Sequence, residues 1–305
     1  MNQHHDHHHE HGEQEHNGRA LAAATLLTLG YAAVEAGVGV WAGSLALVAD
    51  AGHMLNDAGA LSLAAAAAWV AKRPASRLHT YGFGRAEFLA ALVNSLGLLV
   101  LVAWIAVSAV QRLQDPQPVS GVAVSVAAAL GLLINILVAW VLSRGGASSL
   151  NTRAALLHVA GDLLGSVAAL IAGVVIAFTG WMPIDPLLSL AIAALIVTSS
   201  LRLLREALHG LMEGVPLDLS LEEIGKAIAS VPGIESVHDL HVWSVAPDKP
   251  MLSAHVLVKD LKRWDAVLAE AREMLHSRYR IAHVTLQPEP VQQVIRLVAR
   301  RDKSP

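Results

Sequence analysis

His53-Met54-Leu55-Asn56-Asp57 and His158-Val159-Ala160-Gly161-Asp162 each set a histidine four residues ahead of an aspartate, and both motifs lie inside long apolar stretches. In an α-helix, residues four apart lie one turn above each other, so each motif aims an imidazole nitrogen and a carboxylate oxygen in one direction. Two such faces opposed make an N2O2 tetrahedron. That ligation suits Zn2+, with bonds of ~2.0–2.2 Å, whereas six oxygens would suit Mg2+ or Mn2+. The competing reading of one isolated motif is a buried polar pair holding helices together; two matched copies favour a metal site more strongly.

The elements that position these residues follow from composition. Of 305 residues, 54% are hydrophobic and 15% charged, which is too apolar for an ordinary soluble domain and long enough for a membrane bundle with a small appendage. Cysteine is absent, so disulfides, thiolate metal sites and cysteine nucleophiles are all excluded, and metal chemistry falls to 16 histidines and the carboxylates. The formal charge of -3 and the lack of a continuous basic face make nucleic acid an unexpected partner.

Residues 1–18 are polar and hold seven histidines among Asp6, Glu10, Glu13 and Glu15. Such a segment cannot build a core and is expected to be disordered, a weak multivalent metal collector. Six apolar segments follow within 19–208, near Ala20 to Trp41, Ser44 to Ala71, Ala86 to Arg112, Val119 to Leu142, Leu150 to Thr179 and Ile184 to Leu208. Each is near or above the ~20 residues that a helix needs to cross ~30 Å of hydrocarbon. The expected architecture is therefore a membrane all-α, six-helix transmembrane bundle. Lys72, Arg73, Arg77 and Arg85 flank the second connection and Arg144 and Arg153 the fourth, so these sides, and with them both termini, are expected in the cytoplasm. His53 and His158 then lie ~15 and ~12 Å deep, and the two motifs can meet near the midplane. Asp50, one turn before His53, is a candidate proton relay or supporting partner. Glu35, Asn94 and Asn135 read as interhelical hydrogen-bonding residues.

After Leu208 the composition turns polar, and residues 209–292 read as a small α+β domain, with 293–305 a tail. Ser220-Leu221-Glu222-Glu223 is a capping box opening a helix that stops at Pro232-Gly233. Val237 to Val245 and Leu252 to Val258 alternate as strands about a turn at Pro247 to Pro250, Trp264 to Tyr279 has helical spacing, and His283 to Gln287 reads as a closing strand. His238, His241, His255 and His283, with Asp239 and Glu289, are more potential ligands than so short a domain needs, and favour at least one metal site. Three residues apart on a strand, His238 and His241 point to opposite faces unless a bulge intervenes.

The combined pattern resembles the cation diffusion facilitator family, in its zinc-transporting branch. The resemblance rests on both HxxxD motifs, on Ser44 to Ala51 leading into His53, on His79-Thr80-Tyr81-Gly82-Phe83-Gly84-Arg85-Ala86-Glu87, and on Val237-His238-Asp239-Leu240-His241-Val242-Trp243. It implies a homodimer in the cell's inner membrane that exports Zn2+ from the cytoplasm in exchange for H+, with Cd2+ and Co2+ as further possible cargo. It also implies a cytoplasmic domain of ferredoxin-like, metallochaperone-like form that takes Zn2+ as a regulatory ligand. By motif, the transport ligands would be His53, Asp57, His158 and Asp162, and those of the cytoplasmic domain His238, His255, His283 and Glu289. Some members hold a further metal with a histidine at the place of His79 and another four residues on; here the second is Phe83, and a full site is not expected.

Because free imidazole titrates near ~6.5, metal and proton would compete for the same nitrogens at ordinary pH, which couples the two fluxes. The competing reading is a membrane-bound metal sensor or metalloenzyme using the same histidines. An enzyme would call for HExxH or an open three-ligand site with a general base, and neither His53 nor His158 is followed by Glu.

Overall fold

The protein is described by a computed structural model covering residues 26–144 and 150–291, with side chains over 26–140 and 159–291. The His-rich segment at 1–18 and the tail at 293–305 expected from the sequence lie outside the described residues. Chain contacts divide the molecule into two units, one formed by residues up to Ala67 and from Ala90 to Arg205, the other by Ala68 to Leu89 and from Glu206 onward.

The first unit is helical. Its helices are α1 (Leu26–Ala42), α2 (Leu45–Ala71), α3 (Ala86–Gln114), α4 (Gly121–Arg144), α5 (Leu150–Thr179) and α6 (Ile184–Leu211), the last turns of α2 and α6 and the first of α3 falling in the second unit. Five of these are long and apolar enough to cross a membrane, and α1 is a shorter apolar helix as far as the description reaches. Apolar side chains such as Val100, Leu133 and Phe178 point outward, as they do when the surrounding solvent is hydrocarbon. Small residues fill the contacts between helices: a Cβ on Gly173 would lie 2.6 Å from the Ser125 amide nitrogen, so α4 and α5 approach backbone to backbone. Asn56 donates to Asn94 Oδ1 at 2.9 Å and Asn135 to Ser166 Oγ at 3.2 Å, the interhelical polar bonds expected of such residues.

The second unit contains α7 (Leu221–Ala229), β1 (Ile234–Ser244), β2 (Pro250–Val258), α8 (Trp264–Tyr279) and β3 (His283–Pro290). This is the helix, strand, strand, helix, strand order read from the sequence. Ser220 Oγ accepts from the Glu223 amide at 3.3 Å, which makes it the N-cap of α7. Strand β1 runs antiparallel to β2, and β2 runs parallel to β3, so α8 is the crossover of a βαβ unit. One sheet face packs Val242, Leu252, Val256 and Leu286 against Ile224 and Ile228 of α7 and Leu275 of α8. The opposite face carries the polar side chains. In the same unit Arg85 Nη2 lies 2.5 Å from Glu213 Oε1, tying the start of α3 to the segment after α6.

Candidate metal centres

On α2, His53 and Asp57 sit one turn apart with Nε2 and Oδ2 separated by 3.5 Å. Four ligands at ~2.05 Å around a tetrahedral ion are spaced by about 3.3 Å, so this pair already has the separation of one tetrahedral edge. Asp162 reaches the same place from α5, and ligand atoms of His53, Asp57 and Asp162 all lie within 4.8 Å of one another. Asp162 is buried at 3% exposure while His53 and Asp57 are half-buried, so a cation there would meet two reachable groups and one anchored in protein. His158 stands on α5 one turn before Asp162, and its side chain lies outside the described residues. Three of the four residues picked out by spacing are thus brought together, and the fourth occupies the adjoining turn.

Behind this cluster a polar chain runs through the first unit. Asp50, three residues before His53 and 1% exposed, accepts from Ser166 Oγ at 3.5 Å, and Ser166 in turn accepts from Asn135. Gly165 has no side chain because none fits: a Cβ there would collide with the Asp50 carboxylate. Asp50 and Asn135 stand out in the sequence as polar residues within apolar segments, whereas nothing local distinguishes Ser166 or Gly165 from the many other small residues around them.

The second centre lies on the open face of the sheet. Antiparallel pairing sets His238 directly opposite His255, and Glu289 reaches both: His255 Nδ1 is 2.9 Å from Glu289 Oε1 and His238 Nε2 is 3.3 Å from Glu289 Oε2. These three offer ligand atoms within 4.8 Å of one another, an N2O set at a solvent-facing position. His283 is the exception among the expected ligands. It shares the open face, but in the parallel register it stands opposite Met251 while Gln287 stands opposite His255. Four residues along a strand amount to ~13 Å, too far to share an ion. Alternation gives the face of His283 and cannot give its register.

A bulge in β1 extends this centre. From His238 to His241 the strand advances three residues while β2 advances two, and Asp239 takes a left-handed backbone with φ of 51°. The extra residue returns His241 to the face of His238, and its Nε2 lies 3.0 Å from Asp239 Oδ1 while His255 Nε2 lies 3.8 Å from Asp239 Oδ2. His255 therefore has a carboxylate at each nitrogen, so that a metal bound on one side leaves the other N–H an acceptor to hold the ring in place. At the loop before α3, the His79 ring packs on Phe83 with centroids 4.5 Å apart.

Two family profiles cover these two parts of the chain: one described as the cation efflux transmembrane domain matches residues 21–212, and one described as the cation efflux protein cytoplasmic domain matches residues 216–291. The chain is 43% identical over 285 residues to the zinc transporter ZitB of Pectobacterium atrosepticum, covering 93% of this chain and 88% of that protein. It is 40% identical over 282 residues to the metal cation efflux system protein CzcD of Cupriavidus metallidurans, covering 92% and 89%. A cadmium, cobalt and zinc/H(+)-K(+) antiporter of Bacillus velezensis is 36% identical over 290 residues, covering 93% and 91%. With one profile spanning most of its length and relatives aligned nearly end to end, this chain belongs to the cation efflux, or cation diffusion facilitator, family of membrane transporters.

Proposed function

We propose that the protein is a secondary active transporter that exports Zn2+ from the cytoplasm in exchange for H+, using His53, Asp57, His158 and Asp162 as the transport site. The observation that carries this reading is the meeting of His53, Asp57 and Asp162 from two membrane-type helices, with ligand atoms within 4.8 Å of one another. Two imidazoles and two carboxylates match a borderline-soft ion of tetrahedral habit better than they match Mg2+ or Ca2+. Zinc enters when the site faces the cytoplasm and carries neutral imidazoles; protons taken up from the far side displace it when the helices rock. Proton coupling needs no further device, since one set of atoms holds either ion. The names of the ZitB and B. velezensis relatives, a zinc transporter and a proton-coupled antiporter, support both halves of the exchange.

In the same reading the membrane is the inner one and both termini lie in the cytoplasm, an orientation supported by the basic connections after α2 and α4. The α+β domain is the regulatory part, binding Zn2+ through His238, His255 and Glu289, and two copies pair through it. The test is zinc flux into liposomes, wild type against Asp162→Ala, with and without an opposing pH gradient. Wild-type flux driven by the gradient and abolished by the substitution is expected. Flux at equal rates with or without the gradient would refute the exchange, and flux undiminished in Asp162→Ala would refute the site.

A further inference from the structure

Asp185, the second residue of α6, has no place in the transport site, yet its side chain is fully buried and organises the start of α2. Its Oδ1 accepts from Ser44 Oγ at 2.5 Å and from the Ala46 amide at 3.3 Å, and its Oδ2 accepts from the Leu45 amide at 2.7 Å. Ser44 Oγ accepts in turn from the Leu47 amide at 3.2 Å. The first three amides of α2, which no helix can satisfy internally, are therefore all taken by two side chains, one of them supplied by another helix. Arg112, near the end of α3, balances the charge with Nη1 at 3.7 Å from Asp185 Oδ2 and also donates to the Gly43 carbonyl.

The turn between α1 and α2 is held from its other side as well. The Ser120 amide donates to the Ala42 carbonyl at 2.9 Å, and Gly43, at φ of 74°, lies so close to the Pro118 carbonyl that a side chain would not fit. One buried carboxylate thus joins α2, α3 and α6 at the end of α2 opposite to its exit at Ala71, while the α3–α4 connection closes over the same corner.

We infer that Asp185 is a positioning residue for transport, fixing the height and rotation of α2 so that His53 and Asp57 meet Asp162 at metal-binding distance. His53 follows Leu45 by eight residues, ~12 Å along the helix axis. A ligand atom about 6 Å from that axis moves by about 1 Å when the helix turns by ~10°. Zinc bond lengths tolerate only about ±0.2 Å, so an unanchored α2 spoils the site without losing a ligand.

The inference rests on the transport site proposed above, and the test separates the two. Full-length Asp185→Asn, Ser44→Ala and His53→Ala are reconstituted in liposomes, and the KM for zinc and the ratio of Zn2+ to Cd2+ uptake are measured. In Asp185→Asn the amide turns its NH2 either toward the Leu45 amide and Arg112 or toward the Ala46 amide and Ser44, so a backbone donor faces a donor either way. Its zinc KM is expected to rise on the order of tenfold, in the range found when residues supporting metal ligands are removed, and the uptake ratio to move toward the larger Cd2+. Ser44→Ala should move both in the same direction by less. A purely structural role would lower the amount of folded protein and leave KM and the ratio where they were. That result in both variants, with His53→Ala inactive, would overturn the positioning role alone. Full zinc transport by His53→Ala would overturn the transport site and this inference with it.

Discussion

Gly165→Ala adds one methyl group three residues after Asp162 and removes no ligand, yet it is expected to weaken zinc binding. An added Cβ would lie 2.8 Å from Asp50 Cγ and 3.2 Å from Asp50 Oδ2, with Oδ1 nearer still, against ordinary contacts of 3.4 Å and beyond. Asp50 has little room to swing away, because it is 1% exposed and enclosed between α2 and α5. Relief must come from α2 and α5 separating by roughly 0.6–1.3 Å, several times the ~0.2 Å that zinc ligation tolerates. Overpacking of this kind costs about 1–3 kcal/mol. The higher helix propensity of alanine favours folding and does not enter the zinc equilibrium. Strain of this size, relieved by displacing the ligands, corresponds to zinc affinity weakened by about 5- to 150-fold. Gly161→Ala is the matched control, since a Cβ there meets no described atom within 4 Å. Competition titration with a zinc-chelating dye on purified full-length protein measures both. Gly165→Ala should bind zinc more weakly than wild type while Gly161→Ala does not; equal affinities in the two variants would refute the close packing of α2 on α5 beside the site.

His53→Asp makes the transport site richer in oxygen, so uptake of Mn2+ or Cd2+ should rise relative to Zn2+ in liposome flux; an unchanged preference would count against His53 as a ligand. In the α+β domain, Glu289→Ala should abolish or weaken metal binding by titration on a background lacking Asp162, while His283→Ala should leave it unchanged, because His283 stands opposite Met251 rather than His255. Leu252→Ala removes a fully buried side chain between the sheet and its two helices and should destabilise the domain by about 2–5 kcal/mol, seen as a lowered midpoint in thermal unfolding.

What the sequence discloses here is what obeys a local period. Spacing of four picks out the candidate ligands of α2 and α5, the capping box sets the start of α7 at Leu221, and alternation locates β1, β2 and β3. Helix ends follow within a few residues: α3 runs to Gln114 rather than Arg112, and α6 to Leu211 rather than Leu208, because polar residues can finish the last turn once it leaves the hydrocarbon. Features set by pairing between distant segments stay hidden. The register that separates His283 from His255 depends on how β3 docks beside β2, and no residue of either strand announces it. Aspartate tolerates the left-handed backbone seen at Asp239, but it is common in ordinary turns as well, so the bulge that returns His241 to the face of His238 is not marked in the sequence. Asp185 and Ser44 are 141 residues apart, and a carboxylate opening one helix looks like an ordinary first-turn acid until it is seen capping another.

The most direct measurement is zinc K-edge X-ray absorption on the full-length protein, with His238→Ala, His255→Ala and alanine in place of the seven histidines of residues 1–18, so that bound zinc reports the membrane helices. A shell of four nitrogen and oxygen atoms at ~2.0 Å, with the outer scattering of two imidazoles, is expected, and it should lose occupancy in Asp162→Ala. Six oxygen neighbours without imidazole scattering, or a spectrum that Asp162→Ala does not alter, would contradict a shared site between α2 and α5.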